Sequence, residues 1–171
     1  MVNDVQYGSY DSNTKRVVTH QDWAEKAVDP GEWKRYISDP YNQYQFLKER
    51  LGSIMKHFNH SFGVHTLQRV AGCELDDDGT SRVFYQDAYD GQEFLSLDLE
   101  RETWIATMQQ AVFFKQILQA SKAYIINSYK EECVYCLKKF LEQGRNTLKR
   151  RGNNVIFLGD TLWKSIIGCS F

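Results

Sequence analysis

Cys133-Val-Tyr-Cys136 has the CxxC spacing of a redox dithiol, within a set of four cysteines in 171 residues. Thiol exchange needs the first cysteine at an exposed helix N-terminus, where its thiolate is stabilised. Cys133 instead falls inside a run of helical period, so Cys136 reads as a packing residue. His20, His57, His60 and His65 together with Asp76 to Asp78 could in principle hold a metal or move protons. None of them has the spacing of a metal site or a catalytic triad. No catalytic residue, metal ligand or cofactor is therefore assigned, and the chain is not read as an enzyme. Asn59-His-Ser61 is an N-glycosylation sequon.

The composition allows one domain, or one and a fragment. Apolar residues at 42% and aromatics at 14% can supply a core. A net charge of -1 argues against nucleic acid and against a polybasic membrane surface. No apolar run reaches the ~18 residues of a membrane-spanning helix. The opening residues have no basic segment followed by an apolar one, so no signal peptide is visible.

Val5 to Asp11 reads as a strand ended by the turn Asp11-Ser-Asn13, and Arg16 to Thr19 as a second. Asp29-Pro30 is a helix-start signal. Trp33, Tyr36, Ile37, Tyr41, Tyr44, Leu47, Leu51, Ile54, Met55 and Phe58 recur at helical steps up to His57, with a kink or break expected at Pro40. Val64 to Leu75 alternates, with His65, Leu67, Arg69, Ala71 and Cys73 on one face. Asp76 to Gly79 is a hairpin loop. Arg82 to Tyr89 follows, with Tyr85, Asp87 and Tyr89 together. Asp90-Gly91 is a turn, and Glu93 to Asp98 another strand. Thr107 to about Lys149 has helical period, segmented, with Gly144 as its stop. Strands, helix, strands, helix is an α+β order: two halves that would build one antiparallel sheet topped by two long helices.

Several segments jointly carry a family resemblance: Tyr10 to Arg16, Asp22-Trp23, Asp29 to Arg35, Phe58 to Ser61, Val64 to Leu75, Tyr85 to Gly91, Thr103 to Ala106 and Glu131 to Gly144. From Met1 to about Arg151 the chain resembles the ligand-binding platform of class I major histocompatibility (MHC) heavy chains, most of all those of non-mammalian vertebrates. The resemblance implies an alpha-1 half over 1–61, lacking its first strand and part of its second, and an alpha-2 half over 62–151. Residues 152–171 resemble nothing in that family and are expected to be a disordered or artefactual tail. The immunoglobulin-like domain and membrane anchor that would place the family at the cell surface are not visible here.

The resemblance further implies a disulfide from Cys73 to Cys133, leaving Cys136 and Cys169 unpaired, and a glycan on Asn59. It places the ligand groove at Glu32, Tyr36, His57, Arg69, Ala71, Tyr85, Asp87, Phe114, Ile117, Leu118, Ser128 and Phe140. Peptide-presenting members hold charged peptide ends with polar partners, as buried charges require. Here Glu32, Ser128 and Phe140 stand in place of tyrosines, and Cys136 in place of a tryptophan. At the carboxyl end His57, Phe114, Ile117 and Leu118 replace the polar set, and only a protonated His57 could meet a carboxylate. Gln6, Gln68, Gln86, Gly91 and Glu93 fall where the light chain, β2-microglobulin, docks.

The function expected is an MHC class I-like recognition platform for antigen presentation in the immune response. Its groove would be closed or hold a hydrophobic or other ligand rather than a standard peptide. Its surface would be read by T-cell or natural-killer-type receptors. The alternatives are a non-functional product of a degenerate gene and, remotely, a thiol-redox protein.

Overall fold

The computed structural model describes residues 2, 5–27, 30–76, 78–98, 101–144, 148, 154–160 and 165–169. Among these, side chains are described for all but 30–40, 124, 125, 128–130, 154–160 and 165–169. The elements in order are strands β1 (Gly8–Asp11) and β2 (Arg16–Thr19), helices α1 (Asp22–Lys26) and α2 (Pro30–His57), then strands β3 (Gly63–Asp76), β4 (Ser81–Tyr89), β5 (Gln92–Asp98) and β6 (Thr103–Ala106). A 3-10 turn at Gln109–Ala111 leads into helices α3 (Val112–Ala120) and α4 (Lys122–Gln143), and strands β7 (Asn154–Asp160) and β8 (Ser165–Cys169) close the chain.

The main sheet is antiparallel in the order β6-β5-β4-β3-β7, with β8 also paired to β3. Its β4–β5 hairpin turns on Asp90 and Gly91, with φ of 49° and 79°. Two adjacent positive φ values match the twist of a two-residue hairpin loop, and Gly meets that demand without strain. Alternation puts Leu67, Arg69, Ala71 and Cys73 of β3 and Val83, Tyr85, Asp87 and Tyr89 of β4 on one buried face. Both long helices lie on that face.

Two cores result. In the first, Leu47, Leu51, Ile54 and Met55 of α2 pack on Leu67, Ala71, Tyr85, Tyr89, Phe94, Leu95 and Trp104 of the sheet and on Phe114 of α3. In the second, Cys133, Leu137 and Phe140 of α4, spaced one helical turn apart, meet Cys73, Trp23, Ala24 and Leu148. Burying each large side chain in these cores stabilises the fold by roughly 1.5–3 kcal/mol. Cys73 and Cys133 form a disulfide across the second core, with Cα atoms 6.0 Å apart. It closes a loop of sequence separation 60. In the chain-entropy model such closure contributes about 4 kcal/mol.

Several expectations need correction. Pro40 does not break α2, which runs unbroken from Pro30 to His57. The proline removes one backbone donor, a local loss, while the tertiary packing of Leu47, Leu51 and Ile54 holds the remaining turns. The first strand is shorter than expected. Only Gly8–Asp11 pairs with β2, and Val5 makes an isolated bridge to Val2. The helix start at Asp29 lies outside the described residues.

The two halves also do not share one sheet. β1 and β2 form their own two-stranded ribbon, and the outer edge of β3 is paired with β7 and β8. β7 pairs with Ala71 to Asp76, and β8 with Gly63 to Leu67. Residues expected to be disordered thus run antiparallel along β3 as one interrupted strand. An open edge presents unpaired N–H and C=O groups, and any segment able to extend satisfies them.

Gly144 does follow the last turn of α4, but by packing and not by left-handed backbone. Its φ is -84°. A Cβ there would lie 2.7 Å from Leu148 Cδ1 and 2.9 Å from the Phe140 carbonyl oxygen. The Leu148 terminus can swing aside, but the helix carbonyl cannot. Gly144→Ala is expected to cost about 1–3 kcal/mol through this overpacking. Urea unfolding of the oxidised chain reads it, and an unchanged midpoint would contradict this packing.

Candidate functional site

The buried face of the sheet carries a charged cluster at its centre. Asp87 of β4 is fully buried. Its Oδ1 accepts from Arg69 Nε at 2.8 Å, and its Oδ2 from Arg69 Nη2 at 3.2 Å and from the Tyr85 hydroxyl at 3.0 Å. Arg69 is cross-strand partner to Asp87 in the β3–β4 register, so a two-pronged pair follows from strand pairing. The Tyr85 ring also lies under the Arg69 guanidinium, 4.7 Å from its centre.

A second guanidinium comes from above. Arg50 of α2 puts Nε 3.1 Å from Asp87 Oδ2. The approach is off the line of a hydrogen bond, and neither its Nε nor its Nη2 has a hydrogen-bond partner. Arg50 is 8% exposed and lies over the Phe114 ring at 5.4 Å. Among the described residues the cluster therefore holds two positive charges against one negative. Sequence reading placed Arg69, Asp87 and Tyr85 here but missed Arg50. The signal was present: Leu47, Arg50, Leu51 and Ile54 follow the i, i+3, i+4, i+7 rule, so the basic residue shares the apolar face.

The two ends of the face are filled by the chain's own rings. At one end His57 stacks on Phe113 at 4.7 Å and meets Phe114 edge-on at 5.0 Å. Its Nδ1 lies 2.9 Å from the Ser53 carbonyl oxygen one turn earlier. Ile117 points outward, 52% exposed, and Leu118 is half-buried against the first core. At the other end Phe140 is fully buried, stacked on Tyr7 at 4.7 Å and edge-on to Trp23 at 5.8 Å. Phe140 and Ala71, expected to line a groove, are fully buried in the two cores. The side chains of Glu32, Tyr36 and Ser128 lie outside the described residues.

The remaining expected residues fall as follows. Gln68 and Gln86 are on the sheet face away from the helices, and Gln6, Gln86, Gly91 and Glu93 are exposed. Asn59 is exposed in the turn after α2, with φ of 56°. Cys133 is bonded to Cys73 and so is not half of a dithiol with Cys136, which is half-buried beside the second core.

Sequence spacing also missed a cluster at the foot of α2. His60, His65 and Asp90 bring their ligating atoms within 4.8 Å of one another. His65 Nδ1 is 2.8 Å from Asp90 Oδ2, and the Thr66 amide donates to Asp90 Oδ1 at 2.8 Å. Burial pushes the Asp90 carboxyl up, but the His65 and Thr66 hydrogen bonds outweigh it and hold the group below the usual carboxylate range. Burial, helped by the Asp90 charge, lifts the Tyr89 hydroxyl to about 12. The two imidazoles stack at 4.5 Å and 12°. Their in-plane lone pairs run side by side and do not converge, so the arrangement serves hydrogen bonding to Asp90 and Tyr89 before it serves a metal.

The Asp87 cluster sets a clear expectation. Asp87→Asn leaves two guanidiniums facing a neutral amide in a buried site, at a cost of about 3–5 kcal/mol. The loss of midpoint in urea unfolding measures it. A variant as stable as the parent would mean that the carboxylate does not hold the two helix-side and sheet-side charges.

Comparison with known proteins agrees with this geometry. The family model described as class I histocompatibility antigen, domains alpha 1 and 2, matches residues 1–148. The major histocompatibility complex class I-related protein 1 of Mus musculus is 38% identical over 86% of this chain. That of Bos taurus is 38% identical over 75% of it. The class I histocompatibility antigen F10 alpha chain of Gallus gallus is 31% identical over 83%. The chain spans 44% of the mouse relative, 39% of the bovine one and 42% of the chicken one. With that match and a helix-topped antiparallel sheet stapled from β3 to α4, the chain belongs to the class I histocompatibility antigen family.

Proposed function

We propose that this chain is a class I-like display platform that does not hold standard peptides by their ends. The observation that carries this reading is the filling of both ends of the helix-topped face by aromatic side chains. A peptide terminus is charged and must find hydrogen-bond partners when it is buried. His57, Phe113 and Phe114 at one end, and Phe140, Tyr7 and Trp23 at the other, spend their faces on each other. Among the described residues polar capacity is concentrated at Arg50, Arg69, Asp87 and Tyr85 instead. A ligand on this platform would bind over the centre, or the face would act unfilled.

In this reading the platform works by presenting a surface to T-cell or natural-killer-type receptors, as part of antigen presentation at the cell surface. β2-microglobulin would dock on the opposite sheet face, where Gln68 and Gln86 alternate outward and Gly91 and Glu93 flank the turn. Asn59 would carry a glycan, being exposed at a left-handed turn position. Among the described residues no helix is long and apolar enough to cross a membrane.

Refolding the chain with β2-microglobulin, followed by acid elution and mass spectrometry, tests the central point. The expected eluate lacks any pool of peptides sharing anchors at a length of about nine residues, because among the described residues no polar clamps fix both termini. Such a pool would overturn the proposal.

A further inference from the structure

The main sheet ends differently on its two sides. On one side β6 is four residues long. On the other lies β3, a strand of 14 residues, about 48 Å long at ~3.4 Å per residue. A long, even edge is a template for a further strand, and short or bulged strands blunt such an edge. β4 holds the inner side of β3 in unbroken register from Leu67↔Tyr89 to Leu75↔Ser81. β7 and β8 hold the outer side, and their ladder is interrupted twice. Asp160 faces Ala71 while Leu158 faces Gly72, so Gly159 is an extra residue between them. From Asp160 to Ser165 the chain then advances five positions while β3 retreats four, from Ala71 to Leu67. Each extra residue breaks the ladder and raises the local twist.

We propose that β7 and β8 form a strap guarding the outer edge of β3, and that the partner this strap excludes is a second copy of the chain, pairing β3 to β3. With the strap lifted, β3 offers its 14 residues to the same strand of another copy. Antiparallel pairing about a two-fold axis normal to the sheet sets residues of like parity opposite one another, so the helix-covered faces of both copies stay on one side. The strap's own outer edge does not take over this role. Two short strands offset by extra residues give a second copy no even register to follow. The β4 seam is continuous and the strap seam is not, so the strap opens first. This concerns the sheet edge and not the helix-topped face, so it stands apart from the display-platform reading.

Ile156→Pro with Phe157→Pro, combined with Ile166→Pro and Ile167→Pro, lifts the strap, since of two adjacent amides one lies in the ladder whichever way it alternates. Sedimentation of the oxidised parent should show a monomer, and the quadruple variant should dimerise at least about tenfold more tightly. A synthetic peptide of residues 154–169 carrying Cys169→Ser should return the variant to monomer by reoccupying β3. If the variant does not fold, the parent carries the test in mild urea. At the urea concentration where hydrogen exchange shows β7 and β8 amides open and β4 amides still protected, the parent should sediment as a dimer. A monomeric variant would overturn the inference, whether β3 is left bare or the β1–β2 ribbon has moved onto it. A dimer indifferent to the peptide would place the contact elsewhere and overturn it too. So would a parent whose strap and β4 amides open together, or one that stays monomeric with only the strap open.

Discussion

The bond between Cys73 and Cys133 is the constraint from which the rest of the structure follows. It ties the middle of α4 to the second half of β3, and only one face of β3 carries Cys73. That choice of face puts α4 over the same side of the sheet as Leu67 and Ala71, where α2 also packs. One and two turns further along α4, Leu137 and Phe140 are then carried into the pocket of Trp23, Ala24 and Leu148. The ring of Phe140 fills that end of the face because the sulfur bridge has already fixed the phase of the helix. Helical repeat does the remainder, since positions 133, 137 and 140 share one stripe.

Charge takes over where apolar packing stops. A fully buried carboxylate tolerates its position only with charged or hydrogen-bonding partners. Asp87 has a bidentate arginine from the adjacent strand, a tyrosine hydroxyl from its own strand and a second arginine from the helix above. The cluster therefore links sheet and helix at mid-platform, between an aromatic plug at each end.

Much of this was legible in the chain. Period-two alternation gave the buried faces of β3 and β4 at their correct residues, because a sheet with one covered face enforces that alternation. The stripe from Leu47 to Ile54 gave the packed side of α2. Asp90-Gly91 gave its turn through backbone conformation alone. Three things were hidden. Arg50 was passed over because it is basic within an apolar stripe, although its spacing marked it. His60, His65 and Asp90 meet only through the β3–β4 register and the turn after α2, which sequence separation does not display. The pairing of residues 154–160 and 165–169 along β3 depends on the edge that β3 offers, a property of the partner and not of the segments themselves.

The phase of α4 over the sheet can be read without any ligand or partner. Digestion of the unreduced chain after alkylation, with mass spectrometric mapping, should yield one linked pair of peptides containing Cys73 and Cys133, with Cys136 outside any disulfide. Linkage of Cys133 to Cys136, or alkylation of Cys73 as a thiol, would contradict the staple and with it the plugged end that Phe140 provides.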